Sequence, residues 1–345
     1  MKNVKRWLSV CLTVALLALC LCGCGETGTG TTESAPESTP ESSAEPAARE
    51  TANVVGLVGP TGVGLVGLMQ DQEDGKTDVD YTFTLETAPD SVVAKVSSGE
   101  VDIAAVPTNL ASSLYNKTSG GVKMLAINTQ GVLYVVENGE TISSVADLKG
   151  KTIYSTGQGA NPEYVLRYLL TQNGLDPDTD VTIEFLTENE ELAAKLVKGE
   201  AEVALVPEPL CTTVLTKNEN LRVALSVNDE WAAIGEGSSL LMGCVIARTE
   251  YIEAHPQAVK TFLKEYGASI EKAQSDVSGT AELCEKFGVI AAKAIAEKAL
   301  PRCNLTFLFG ADMKPAIEGY FEVLFDANPK AIGGKLPDDA FYYVP

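Results

Sequence analysis

The sequence predicts an α/β protein of two similar lobes, each a mostly parallel sheet flanked by helices. Two observations carry this: β-rich runs alternate with helical stretches twice over, and one phrase of the first pass returns a hundred residues later. In the first pass, 53–58 is a continuous apolar strand, and Gly59-Pro60-Thr61-Gly62 leads into a helical stretch through Leu68 and Met69. Residues 79–85 alternate, with Tyr81, Phe83 and Leu85 on one side. The stretch 89–98 carries Val92, Val93 and Val96 at helical spacing, and 103–106 is a short buried strand. The order starts again with strand 151–155, a helix opened by Pro162 and running to Leu170, strand 181–185, helix 190–198 and strand 203–206. Proline suits a first helical position, where its missing N–H would have no partner anyway.

The repeat itself is direct. Gly99-Glu100-Val101-Asp102-Ile103-Ala104-Ala105-Val106-Pro107, followed by Leu110, returns as Gly199-Glu200-Ala201-Glu202-Val203-Ala204-Leu205-Val206-Pro207, followed by Leu210. An apolar strand recurs by chance, but the shared Gly-Glu before it and Pro and Leu after it make coincidence a poor account. Each glycine suits a left-handed helix cap, and each proline ends its strand as the chain turns toward a cleft. Beyond Trp231 and a glycine-rich stretch (Gly235, Gly237), 240–247 reads as another strand, and helices follow at 256–271, 281–287 and 313–325. Terminal helices of this kind are expected to pack on the first lobe. That places lobe 1 at 53–139 and 240–345 and lobe 2 at 140–239, with crossings near 138–142 and 235–240.

Composition narrows the function. With 345 residues, 45% of them hydrophobic and 21% charged, the chain can bury a core. Its 47 acidic against 26 basic residues, a net charge of -21, would repel a phosphate backbone, so no nucleic-acid partner is expected. One histidine leaves little room for a His-based metal cluster or a Ser-His-Asp triad. His255, before Pro256, reads as a helix-start residue without a role. No catalytic residue, metal ligand or cofactor is assigned.

The amino terminus reads as an export signal. Lys2, Lys5 and Arg6 precede an apolar run over 7–21 that is short for a membrane span. It ends in Leu21-Cys22-Gly23-Cys24, similar to a bacterial lipobox, which makes 1–23 a signal peptide and Cys24 the lipid attachment site. Residues 24–52 hold mostly Gly, Thr, Ser, Pro and Glu after that cysteine and are expected to be a disordered tether on the outer side of the cell membrane. Of the eight cysteines, Cys211, Cys244, Cys284 and Cys303 lie in the body without CxxC spacing. Buried free thiols are the favoured reading, although an exported protein could also bond Cys284 to Cys303.

Two further phrases complete a resemblance. Val145-Ala146-Asp147-Leu148-Lys149-Gly150-Lys151-Thr152-Ile153 opens the second lobe, and Tyr251-Ile252-Glu253-Ala254-His255-Pro256 opens the terminal helices. With the lipobox, tether and repeated lobes, they resemble the extracytoplasmic solute-binding proteins of ABC importers, most closely the nitrate, sulfonate, taurine and thiamine-precursor binders. The resemblance covers nearly all of 53–330 and implies a type II periplasmic-binding fold, a five-stranded sheet in each lobe and hinge closure around a small organic solute. It also implies a monomer that makes or breaks no bond and hands its solute to a membrane permease and its ATPase. No GxxxxGK[ST] loop is present, so the chain itself is not expected to hydrolyse ATP. Rival readings are same-fold enzymes of the thiamine-pyrimidine or menaquinone-precursor type, against which the export signal speaks, and a lipoprotein that senses solute without transport.

Strand ends facing helix starts supply the candidate ligand-binding residues. They are Thr61 and Gly62 in the first turn, Thr108 and Asn109 after the first repeated strand, Asn128, then Thr156, Gly157 and Gln158 before the Pro162 helix, and Glu208 after the second repeated strand. Trp231 is added as a ring on which an organic ligand could stack, although a buried core indole is the commoner use. Each turn residue serves equally as an ordinary cap. None of these segments contains Lys or Arg. Glu208 is therefore expected to accept a hydrogen bond from an amine or N–H donor, favouring an amine-bearing or heterocyclic solute over nitrate.

Overall fold

The computed structural model describes residues 49–234 and 238–345. The signal segment, Cys24 and the tether up to residue 48 lie outside the described residues, as do Gly235 and Gly237.

In the first lobe, β1 (Thr51–Leu57) pairs in parallel with both β2 (Asp80–Glu86) and β3 (Ile103–Pro107). Helices α1 (Pro60–Val63) and α2 (Val66–Glu73) connect the first pair, α3 (Pro89–Ser98) leads into β3, and α4 (Thr108–Lys117) leaves it toward β4 (Val122–Gln130). The second lobe holds β5 (Leu133–Asn138), β6 (Thr152–Ser155), α5 (Asn161–Gln172), β7 (Thr182–Phe185), α6 (Asn189–Lys198), β8 (Val203–Pro207), α7 (Leu210–Lys217), β9 (Leu221–Ser226) and α8 (Val227–Ile234). The chain returns to the first lobe through β10 (Leu241–Arg248), α9 (Thr249–Ala254), α10 (Pro256–Ser275), α11 (Val277–Phe287), α12 (Lys293–Ala299), β11 (Leu305–Phe309) and α13 (Met313–Ala327).

The two sheets run β11-β4-β10-β3-β1-β2 and β7-β6-β8-β5-β9. Four strands of each point the same way, and the strand that enters from the other lobe, β10 or β5, is inserted antiparallel beside the repeated central strand. Helices flank the central strands β3 and β8, whose Ile103, Ala104, Ala105 and Val203, Ala204 are fully buried. This explains their near-continuous apolar sequence.

Several expectations need correction. The first sheet has six strands rather than five, because β11 pairs with the outer side of β4. The strand 133–138 belongs to the second sheet, paired with β8 and β9, so the first crossing falls at Gly131 and Val132 rather than near 138–142. Thr51 and Ala52 lie in β1 rather than in the tether. The favoured reading of the body cysteines holds: all four are free and buried, Cys284 and Cys303 included.

The second lobe is also held by a buried carboxylate. Glu137 of β5 has no exposed side-chain surface and accepts from Thr141 (N and Oγ1), the Ile142 N–H and Arg222 Nη2, the last at 2.7 Å. Burial works to raise its pKa, but these bonds outweigh it and hold the carboxyl below its usual range.

Candidate functional site

The repeats bring equivalent strand ends to one cleft between the sheets. A cavity of about 410 Å³ is lined from the first lobe by Pro60, Thr61, Pro89, Pro107, Asn109, Leu110, Thr129 and Met242. From the second lobe and the crossing it is lined by Val132, Ala160, Asn161, Pro162, Pro207 and Glu208. Hollows of about 500 Å³ beside Arg248 and about 510 Å³ beside Lys260 are lined by first-lobe residues alone. The inter-lobe position decides which cavity is the candidate site.

Local sequence explains the geometry. Gly62 is buried, and a Cβ there would stand 2.3 Å from the Leu57 carbonyl oxygen, so the turn after β1 closes tightly only with glycine. The Gly62 N–H donates to Gly59 O, and Pro60 and Thr61 are the residues of this turn that line the cavity. Asn128 lies beneath it, 1% exposed, donating through Nδ2 to Thr61 O (3.3 Å) and to the Tyr266 hydroxyl (2.9 Å). It positions the turn rather than facing the cavity.

At the first repeated strand end, Thr108 is fully buried and its hydroxyl donates to Leu241 O at 2.8 Å, whereas Asn109 one residue on lines the cavity. At the start of α5, the expected Thr156, Gly157 and Gln158 stop short of the cavity. Thr156 bonds Asn189, Gly157 packs on Pro162, and Gln158 is exposed. The wall is formed by Ala160, Asn161 and Pro162 instead, and Asn161 Nδ2 donates across the cleft to Asn109 Oδ1 at 3.0 Å. Asn161 ends the segment 155–161 that the sequence places at the cleft, although Thr156, Gly157 and Gln158 are the residues singled out there; its position as the first residue of α5, directly before proline, is the signal that selects it.

Glu208 lines the cavity, yet its side chain has no exposed surface. Its oxygens accept from Thr212 N (3.2 Å) and Thr212 Oγ1 (3.0 Å), and Arg302 Nη1 stands 3.8 Å away. Burial raises its pKa, and Thr212 and Arg302 only partly offset that. The carboxylate is thus turned into the protein, capping α7, and does not present the free acceptor expected from the sequence. Trp231 is 2% exposed and lies outside the cleft lining, packed 4.6 Å from the Tyr168 ring and 5.6 Å from Tyr320, with its N–H donating to Ser238. It joins α5 and α8 to α13.

What remains lining the cleft is a largely apolar wall with five prolines, the polar residues Thr61, Asn109, Thr129 and Asn161, and the starts of α4 and α5. No Lys or Arg is among the lining residues, and Glu208 is the ionisable one.

A two-lobed α/β fold with an apolar cleft at facing strand ends defines a protein that encloses a small molecule. A family model described as "ABC transporter, phosphonate, periplasmic substrate-binding protein" matches residues 74–283. The chain belongs to this family of ABC-transporter substrate-binding proteins. Among solved structures, an ABC transporter protein from Parabacteroides distasonis is 24% identical, covering 86% of this chain and 98% of its own, with a TM-score of 0.72. The periplasmic aliphatic sulphonate-binding protein SsuA of Escherichia coli is 16% identical, covering 86% and 93%, at TM-score 0.68. The alkanesulfonate-binding SsuA of Xanthomonas axonopodis pv. citri, bound to MOPS, is 16% identical, covering 84% and 96%, at TM-score 0.59. No curated protein sequence matches the chain. Among the described residues, no helix is long and apolar enough to cross a membrane.

Proposed function

We propose that this substrate-binding protein captures a small organic solute with an apolar body and a polar head, and delivers it unchanged to a membrane permease driven by an ATPase. The cavity lining carries this reading. Prolines, Leu110, Val132 and Met242 favour an organic body, while Thr61, Asn109 and the free N–H groups at the starts of α4 and α5 suit its polar head. A strong inorganic anion such as nitrate would have no cationic side chain to meet it and would lie near the Glu208 charge. An amine-bearing or heterocyclic solute therefore fits better, its N–H groups meeting Asn109 and the negative potential of Glu208 rather than a free carboxylate. Lobe closure would make binding shift the protein toward the form that docks on the permease. In this reading the chain is a monomer held at the outer face of the cell membrane by a lipid on Cys24.

A thermal-melt screen of the full chain tests it, with taurine, alkanesulfonates, 2-aminoethylphosphonate, nitrate, thiamine-type pyrimidines and polyamines. A ligand at a hundred times its dissociation constant should add about 2.7 kcal/mol of stability, a shift of roughly 5–10 °C for a body of this size. Recovery of the compound unchanged would fit a binding protein, and turnover would favour the enzyme alternative. A nitrate shift larger than that of any organic compound would overturn the solute assignment. Mass spectrometry of the membrane-extracted protein would show the lipid on Cys24, or its absence.

A further inference from the structure

Glu208 and its neighbours span both lobes. The carboxylate lies at the start of α7 in the second lobe, and its own N–H donates to Val132 O at the first crossing. Arg302 comes from the opposite side, in the short turn between α12 and β11 of the first lobe. Its Nη1 donates to Thr212 Oγ1 at 3.2 Å and lies 3.8 Å from Glu208 Oε1, while its carbonyl accepts from the Tyr134 hydroxyl of β5 at 2.7 Å. Asn304 continues the brace, with Nδ2 donating to Gly131 O and its carbonyl accepting from Gln130 N. A first-lobe segment thus holds the crossing and the carboxylate that lines the cleft.

We propose that Arg302 and Glu208 form a latch between the lobes, made when the lobes come together and broken when they part. The proposal rests on the reading that the lobes separate to admit solute. The different compensation of Glu137 and Glu208, both buried in the second lobe, explains why Glu208 suits a switching contact. Glu137 is fixed by four donors within its own lobe. Glu208 has the two Thr212 donors and the weak Cys211 thiol within its lobe, and the nearest cationic side chain comes from the other lobe. Separation would leave a partly compensated charge next to the opened cleft, where water reaches it, so the latch can release without stranding a dry ion.

The groups facing Glu208 are Arg302 from the first-lobe turn, Cys303 beside it, Cys211 on α7 and Tyr134 on β5. Burial pushes both thiols and the Tyr134 phenol upward, so acidification leaves them neutral. Protonation of Glu208 removes the charge that Arg302 compensates, and because burial raises this pKa when the lobes are together it favours the closed form.

Spin labels at Asp90→Cys and Glu190→Cys, exposed sites at equivalent ends of α3 and α6, would report the inter-lobe distance in the full chain with Cys11, Cys20, Cys22 and Cys24 changed to serine. The four native body thiols are buried and should not label. Without solute, Arg302→Met should reduce the short-distance population roughly fivefold. Glu208→Gln, which removes the buried charge, should keep the short-distance population, and adding Arg302→Met to it should have no further effect. Lowering the pH from about 7 to about 4.5 should shorten the distance in the wild type, because the carboxyl takes up its proton more readily in the closed form, and leave Glu208→Gln unmoved. Additive single effects, an unchanged distribution in Arg302→Met, or a pH response that survives in Glu208→Gln would each overturn the latch. The readout needs no ligand, so failure of the solute screen and failure of the latch are separate results. Arg302→Lys, which keeps the charge, should restore most of the short-distance population, as a merely structural role for the guanidinium would not.

Discussion

The two copies of the repeated strand share a backbone and differ in the side chains placed around it. Gly99 and Gly199 both sit in the left-handed region at φ 77° and 74°, closing α3 and α6, and β3 and β8 occupy the same central place in their sheets. After the shared proline, Thr108 packs inward onto Leu241 O while Glu208 caps α7 and faces Arg302. Earlier in the repeat, Asp102 is 8% exposed and joins the Asn53 N–H and side-chain amide to Arg248 at 2.8 Å, whereas Glu202 pairs with Lys151 at the surface. Duplication carries over the features that set backbone geometry. Charge placement has diverged, because a side chain's environment is supplied by the other elements around it.

The largest expected effect concerns Glu137 and Glu208, the carboxylates whose side chains have no exposed surface. Glu137→Gln should cost about 3 kcal/mol at neutral pH, somewhat below the cost of breaking a wholly buried pair because Arg222 is partly exposed. Glu208→Gln should change stability by less than about 1 kcal/mol, since its charge is less well compensated. Chemical denaturation of both variants decides this, and equal losses would break the contrast.

Their pH dependence should have opposite sign. The pKa of Glu137 is depressed, so its contribution is present above the ordinary carboxylate range and is lost as pH falls through the folded-state value. That of Glu208 is raised, so its contribution is present below that range and is lost as pH rises through the folded-state value. Against the wild type, the deficit of Glu137→Gln should shrink on acidification and that of Glu208→Gln should grow. Melting curves between about pH 3 and pH 7 would show it.

Asp102→Asn should cost about 2 kcal/mol, because it weakens a buried charge-assisted network, and Glu202→Gln less than about 0.5 kcal/mol, as an exposed pair. Gly99→Ala and Gly199→Ala should each cost about 1 kcal/mol for the left-handed backbone alone. A much larger loss at one glycine would show that the copies are not equivalent even in their caps.

Legibility in the sequence tracks the range of the interactions. The helix and strand pattern of both copies is readable to within a few residues, since periodicity and caps are local. Strands β4, β5, β9 and β11 are not among the expected elements. Residues 133–138 are apolar enough for a strand, but pairing with β8 rather than with the first sheet is a long-range choice that the six residues do not encode. The cleft segments are readable, and Thr61, Asn109 and Glu208 are chosen in them, yet the selection is elsewhere one to three residues off: Thr108 is chosen beside Asn109, and Gly157 and Gln158 rather than Ala160 and Asn161. Successive helical residues point about 100° apart, so a small error in the helix start exchanges a cleft side chain for a buried one.

By itself the sequence determined the α/β class, the duplication, the cleft at the strand ends and the acidic character of the chain, because these rest on local pattern and composition. The tertiary structure decided that Glu208 is buried against Thr212 and Arg302, that Trp231 packs among helices, and that the first lobe takes a sixth strand. The physical reason is common to all three: beside local contacts such as Thr212, each depends on a partner more than fifty residues away in the chain (Arg302, Tyr168 and Tyr320, or β4), and proximity in space is set only when the chain has folded.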